Sequence, residues 1–173
     1  PDNKQGILGR LIEDTMIKKN DAGSYGITNL GAILIAKKLD DFKGLKRKSV
    51  RVIVYENATR IKTIKEQMGV KGYASGFEGL IDFINGLIPR NEIIGKALRK
   101  DVPMYPTIAV RELVANALIH QDFFARGSGP MIEIFTDRME ITNPGESLVK
   151  TDRFLDSPPK SRNEALASFM RRI

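Results

Sequence analysis

Residues 105–122 read YPTIAVRELVANALIHQD, and the rest of the chain is organised around them. Pro106 suits the first turn of a helix, where its missing N–H is not needed, and Thr107 can cap that helix. No helix-breaking residue follows until Gln121. At about 100° per residue, Val110, Leu113, Val114, Ala117 and Leu118 share one arc, which reads as the buried face. Glu112, Asn116 and His120 are spaced i, i+4, i+8, so they stack in a row beside that arc. A carboxylate, a carboxamide and an imidazole in one row can form a polar site at the edge of a core helix. They can equally be a solvated stripe, the commoner outcome for an arbitrary helix.

After this helix comes a loop at 123–130 with two glycines, then MIEIF (131–135) and RMEIT (138–142) on either side of Thr136-Asp137. The period-2 alternation predicts a hairpin. Asn143-Pro144-Gly145 ends its second strand sharply. Residues 147–160 read as irregular. Ser161 and Glu164 have capping-box spacing before a last helix with Leu166, Phe169, Met170 and Ile173 on its apolar face.

Upstream, residues 7–19 carry an amphipathic helical pattern. Residues 20–26 read as a turn, and Thr28 as the N-cap of a deeply buried helix over 29–38. Residues 40–48 form a polar connection. VRVIVY at 50–55 is β-branched and predicts a strand with Val50, Val52 and Val54 on one side. Residues 59–68 fit a helix or an edge strand. A Gly-rich turn at 69–76 precedes a helix marked by Phe77, Leu80, Ile81, Ile84, Leu87 and Ile88, with Ser75 and Glu78 at capping-box spacing. Residues 91–103 read as a strand with Ile93, Ile94, Ala97 and Leu98 partly buried.

The chain has 173 residues, 42% of them hydrophobic and 28% charged, ordinary for a globular protein. No apolar run approaches the roughly 20 residues that span a bilayer. There is no Cys and one His, which excludes disulfides and thiolate metal sites and disfavours a His-built one. These features fit a cytoplasmic protein. The chain starts without Met and stops within an apolar helical pattern, so it reads as part of a longer protein. Residues 1–75 hold 15 Lys/Arg and 8 Asp/Glu, whereas 76–173 hold 13 of each, so the net charge of +7 lies in the first part. It is densest over residues 43–51, at Lys43, Lys46, Arg47, Lys48 and Arg51. This cluster is either a nucleic-acid contact or a solvated loop and strand edge. No aromatic interleaves with it, so base stacking is unsupported.

RELVANALIHQDF, IEIFTDRMEITNPG and SRNEALASFMRRI together resemble the ATPase-like domain of RecG-like transcriptional regulators, a divergent relative of the GHKL group of gyrase, Hsp90, histidine kinases and MutL. ITNLGAILIAKKL and GYASGFEGLIDFINGLIP resemble the region leading into that domain. The resemblance implies an α/β fold with a mixed, mostly antiparallel sheet and helices on one face, the GHKL (Bergerat) two-layer sandwich. It divides the chain into a helical lead-in at 1–48 and the ATPase-like domain at 49–173.

The resemblance also assigns roles. In GHKL proteins a Glu and an Asn four residues later lie on the central helix, here Glu112 and Asn116. Asn116 would hold Mg²⁺ on the phosphates of ATP, and Glu112 would orient or deprotonate the attacking water. His120 and Asp122 match the pattern that follows, with loop ordering as their expected part; capping the helix C-terminus is the equal alternative for His120. Asn143 takes the position of the family's adenine-reading Asp, and Gly145 lets backbone approach the ligand. An amide pairs with a base edge but cannot offer two acceptor oxygens. The chain stops before the family's Gly-rich phosphate loop, so weak or no nucleotide binding is expected of it. Gly127-Ser128-Gly129 lies in the lid position at best. No Walker A pattern is present, so a P-loop helicase motor is unsupported.

The implied function is an ATP-binding regulatory domain of a RecG-like transcriptional regulator, with slow Mg²⁺-dependent ATP hydrolysis if any. DNA would be met through flanking AlbA-type and winged-helix domains or through residues 43–51. The alternative is a degenerate GHKL-fold scaffold for homodimer formation or DNA binding without nucleotide.

Overall fold

The fold is described from a computed structural model, which covers residues 3–94, 99–149, 151–153, 156, 158 and 160–173, with side chains for all of these save 91–94, 99–101 and 151. The centre is a four-stranded sheet of β3 (Arg51–Tyr55), β4 (Thr63–Met68), β7 (Met131–Ile134) and β8 (Met139–Thr142) in the order β4-β3-β7-β8. β3 runs parallel to β7, while the β3–β4 and β7–β8 pairs are antiparallel. The sheet is therefore mixed and mostly antiparallel, as expected. Residues 59–68 resolve as the edge strand rather than the helix, and every residue of β4 is exposed. Period-2 alternation separates the faces. Val50, Val52, Val54, Ile132 and Ile134 join the main core, whereas Ile53, Tyr55 and Phe135 form a small cluster on the opposite face.

Among the described residues, five α-helices accompany the sheet: α1 (Lys4–Glu13), α2 (Asn29–Ile35), α3 (Tyr73–Asn85), α4 (Thr107–His120) and α5 (Glu164–Met170). One core cluster runs from Met16 and residues 32–34 through Phe77, Ile81 and Ile84 of α3 and Val110, Val114 and Leu118 of α4 to Leu166 and Met170 of α5. Burying large aliphatic side chains stabilises by roughly 1.5–3 kcal/mol each, so this shared cluster holds the helices to the sheet.

Several boundaries differ from the sequence reading, each for a local reason. The first helix stops at Glu13 because Thr15 adopts φ 55, a left-handed conformation that a helix cannot continue. Met16 then turns inward, and β1 (Ile17–Lys19) pairs with β2 (Tyr25–Ile27), so the turn at 20–26 belongs to a hairpin. Thr28 caps α2 as expected, its Oγ1 accepting from Gly31 N at 3.1 Å. Gly31 is obligatory there, since a Cβ would lie 2.2 Å from the Met16 carbonyl. Helix α2 ends at Ile35, which is exposed rather than buried.

Neither capping box forms. Ser75 lies inside α3, whose N-cap is Gly72, and its Oγ donates to Gly72 O at 3.2 Å. Asn163 is the N-cap of α5, and Ser161 Oγ accepts from Asn163 N at 3.2 Å. Ile173 falls beyond α5 and is exposed. The stretch read as one strand instead holds two, β5 (Arg90–Ile94) and β6 (Arg99–Pro103), which pair antiparallel. The expected burial of Ile93, Ile94, Ala97 and Leu98 lies outside the described side chains. Among the described residues, no helix is long and apolar enough to cross a membrane.

Candidate functional site

Helix α4 opens at Thr107 with Pro106 in the N-cap position, so Thr107 is the first helical residue and not the cap. Val110, Val114, Ala117 and Leu118 face the sheet side and are buried. Leu113 departs from the expected arc and is 54% exposed. In its place Ile119, on the far side of the helix, is buried where α5 packs across. Asn163 fixes that crossing by donating its Nδ2 to Ile119 O at 2.7 Å and to Gln121 O at 2.8 Å. At the end of α4 the Ile119 carbonyl is thus taken by Asn163 and the Leu118 carbonyl by Gln121 Nε2, with no hydrogen bond from the His120 side chain among the described residues.

The row of Glu112, Asn116 and His120 lies on the face between the sheet side and α5. Glu112 and Asn116 are exposed and His120 is half-buried. All three line a cavity of about 360 Å³ whose opposite wall includes Lys160, Ala167 and Arg171. His120 and Lys160 also line a neighbouring cavity of about 460 Å³, together with Asn143, Gly145 and Arg162. The central helix and the NPG turn therefore open onto adjoining spaces that share two residues. The side chains of Glu112, Asn116, His120 and Lys160 make no hydrogen bond or ion pair with other described residues.

Charge in these cavities is predominantly positive. Arg111 is engaged, ion-paired with Glu78 at 2.7 Å and bonded to Ile173 O at 2.9 Å. The Arg111 guanidinium beside Glu78 holds that carboxyl below its ordinary range. Lys160 and Arg171 remain opposite Glu112, and Arg162 donates to the backbone carbonyl of Glu146. The described part of the site suits an anion flanked by neutral and acidic oxygen donors. Among the described residues, no group of three or more His, Cys, Asp or Glu is placed to hold a metal.

Asp122 and Gly145 have an intramolecular role. Asp122 N donates to Pro144 O at 2.7 Å, and Asp122 Oδ1 accepts from Phe124 N at 2.8 Å. Gly145 adopts φ +113, and a Cβ there would lie 2.7 Å from Asp122 Cβ. The glycine lets the NPG turn seat on the residue after α4. Gly127 and Gly129 do not cover either cavity. Gly129 packs where a Cβ would meet Arg47 O at 2.4 Å, and both glycines border a third cavity with Lys38, Lys46 and Arg47, which Asn143 also lines.

Two further features escaped the sequence reading. Lys160 and Arg162 follow a proline-rich irregular stretch with no periodicity to flag them. Lys48, read as part of a basic cluster that either meets nucleic acid or is solvated, is instead 4% exposed and donates its Nζ to Asp122 O at 3.2 Å and Ala125 O at 2.8 Å. Burial lowers its pKa, with Asp122 opposing the shift. Tyr73 and Gln121 complete a buried network: Tyr73 OH donates to Lys48 O at 2.6 Å, and Gln121 Nε2 donates to Tyr73 OH at 2.7 Å. Arg51 is likewise engaged, with Glu66 at 2.8 Å. Of the five cations, Lys43, Lys46 and Arg47 stay exposed without an ion pair among the described residues.

Residues 127–173 match the family described as "Putative ATP-dependent DNA helicase recG C-terminal". No curated protein matches the chain. A crystal structure of the DIP2311 protein from Corynebacterium diphtheriae is similar at 21% identity and TM-score 0.68, over 88% of this chain. The chain spans about 30% of that protein's length. The likeness to a solved structure supports the α/β fold, and the family match runs from the glycine loop to the last helix.

Proposed function

We propose that the joined cavities beside α4 bind a nucleotide, ATP with Mg²⁺, within a RecG-like transcriptional regulator. The observation that carries this reading is the unpartnered row Glu112, Asn116, His120 facing Lys160 across a space that continues to Asn143 and Gly145. The family match over 127–173 supports it, since that segment contains the NPG turn, Lys160 and α5.

The donor set fits such a ligand. A carboxylate and a carboxamide one helical turn apart offer oxygen atoms, the ligands that Mg²⁺ prefers. They are too few to hold the ion alone, so phosphate oxygens and water would have to supply its remaining ligands; such an ion would neutralise phosphate charge. Asn116 would hold the ion through its amide oxygen, and its amide N–H can donate to a phosphate oxygen. Glu112 accepts a proton from water placed against it. Lys160 and Arg162 balance phosphate charge, and Asn143 pairs with the base edge. Asp122 holds the NPG turn in place rather than touching ligand.

Calorimetry with Mg²⁺–ATP on the full-length protein tests this reading. Asn116→Ala should weaken binding at least about tenfold, and Glu112→Gln should preserve binding while abolishing any hydrolysis. Equal binding by wild type and Asn116→Ala, or none by either, overturns it.

A second reading, DNA contact by the basic segment, is supported by exposed Lys43, Lys46 and Arg47. A gel shift that weakens with salt and disappears in the double variant Lys46→Glu, Arg47→Glu supports that reading. Unchanged binding by this variant rejects it.

A further inference from the structure

The loop after α4 presents Phe124 almost wholly to water, 94% exposed. It stands at the lip of an apolar groove of about 740 Å³ between α2, the segment at 41–45 and the start of α5. Leu30, Ile33, Leu45 and Leu166 form apolar lining, and Phe42 and Phe123 flank them. A protruding aromatic beside an apolar hollow is a knob and a hole on one surface. That arrangement is self-complementary under a two-fold axis, where each copy's knob enters the other's hole.

The rim favours the same occupant. Lys43 and Arg162 supply two cations, and Asp41 and Glu164 supply two anions. None of the four forms an ion pair with another described residue. The described charges are balanced, so a strongly acidic or basic partner finds no matching field, whereas a rim carrying both signs offers a second copy of itself opposite charges to pair with. We infer that this surface is the interface of a homodimer in which Phe124 of each chain fills the groove of the other. The loop that carries Phe124 is the one Asp122 ties to Pro144 and Lys48 anchors at Asp122 and Ala125, so the knob is held by the fold.

Sedimentation equilibrium of the native protein across a wide concentration range tests the inference, with the chain's lack of Cys removing disulfide artefacts. A reversible dimer is expected. Phe124→Glu should raise its dissociation constant by about 30-fold or more, as loss of an aromatic anchor does. Because Phe124 is so exposed, this variant retains the monomer fold, and an unchanged far-UV circular dichroism spectrum checks that. Lys43→Glu and Glu164→Lys should each weaken the dimer, and the double variant should recover at least half of the lost affinity. A wild type that stays monomeric at every concentration overturns the inference, as does a dimer indifferent to Phe124→Glu or a double variant no better than the singles.

Discussion

Tyr73→Phe isolates the buried network that joins the basic segment to the end of α4. Tyr73 is 3% exposed, and its hydroxyl makes two bonds, donating to Lys48 O at 2.6 Å and accepting from Gln121 Nε2 at 2.7 Å. Burial pushes the Tyr73 phenol well above its ordinary range, so the hydroxyl keeps its proton at any working pH. The substitution keeps the ring and therefore most of the apolar packing. It orphans the Lys48 carbonyl, while Gln121 Nε2 keeps Leu118 O at 2.9 Å. Two lost bonds at about 1 kcal/mol each, and one buried carbonyl left unpaired, sum to about 3 kcal/mol. Gln121→Met behaves differently. Gln121 Oε1 is buried without a partner among the described residues, so its removal relieves a desolvation cost that offsets the loss of the two amide bonds. The expected change there is about 1 kcal/mol or less. With no Trp in the chain, urea unfolding followed by far-UV circular dichroism is the suitable assay. The double variant should fall short of additivity by about 1 kcal/mol, because both changes break the same bond. If Tyr73→Phe unfolds at the wild-type urea midpoint, or Gln121→Met costs more than Tyr73→Phe, the network does not stabilise the fold as argued.

Two further outcomes are expected. Glu133, 2% exposed on the outer sheet face, accepts two bonds from Arg60 at 2.7 and 2.9 Å and one from Tyr55 OH at 3.0 Å. The Arg60 guanidinium holds its carboxyl below the ordinary 4.5, outweighing desolvation. Its contribution is therefore present above that pH and lost as pH falls through the folded value. Glu133→Gln should flatten the fall of the urea midpoint between pH 6 and 3; an unaltered slope refutes this. Gly145→Ala places a Cβ against Asp122 at φ +113, so it should cost about 1–3 kcal/mol and displace the NPG turn. Thermal melting that matches wild type argues against the close seating of that turn.

The features legible in sequence were those set by local periodicity. The alternation in 131–135 and 138–142 and the β-branched run at 50–55 became strands because side chains at i and i+2 share a face whatever lies beyond. The i, i+4, i+8 spacing put Glu112, Asn116 and His120 in one row for the same reason. Thr28 could be read as a cap because its bond to Gly31 spans three residues. Where the reading failed, the deciding contact came from elsewhere. Leu113 had the periodicity of a core position, yet no element covers it, while Ile119 was claimed by α5, more than forty residues on.

The sequence by itself therefore determined the alternating and helical segments, the chain's basic first part and the row on the central helix, since each follows from spacing within a few residues. Tertiary structure alone decided that Lys48 is a buried anchor, that Gly145 yields to Asp122, and that Lys160 faces Asn116. Those facts depend on segments tens of residues apart meeting in space, where burial and packing, rather than residue type, set what a side chain does.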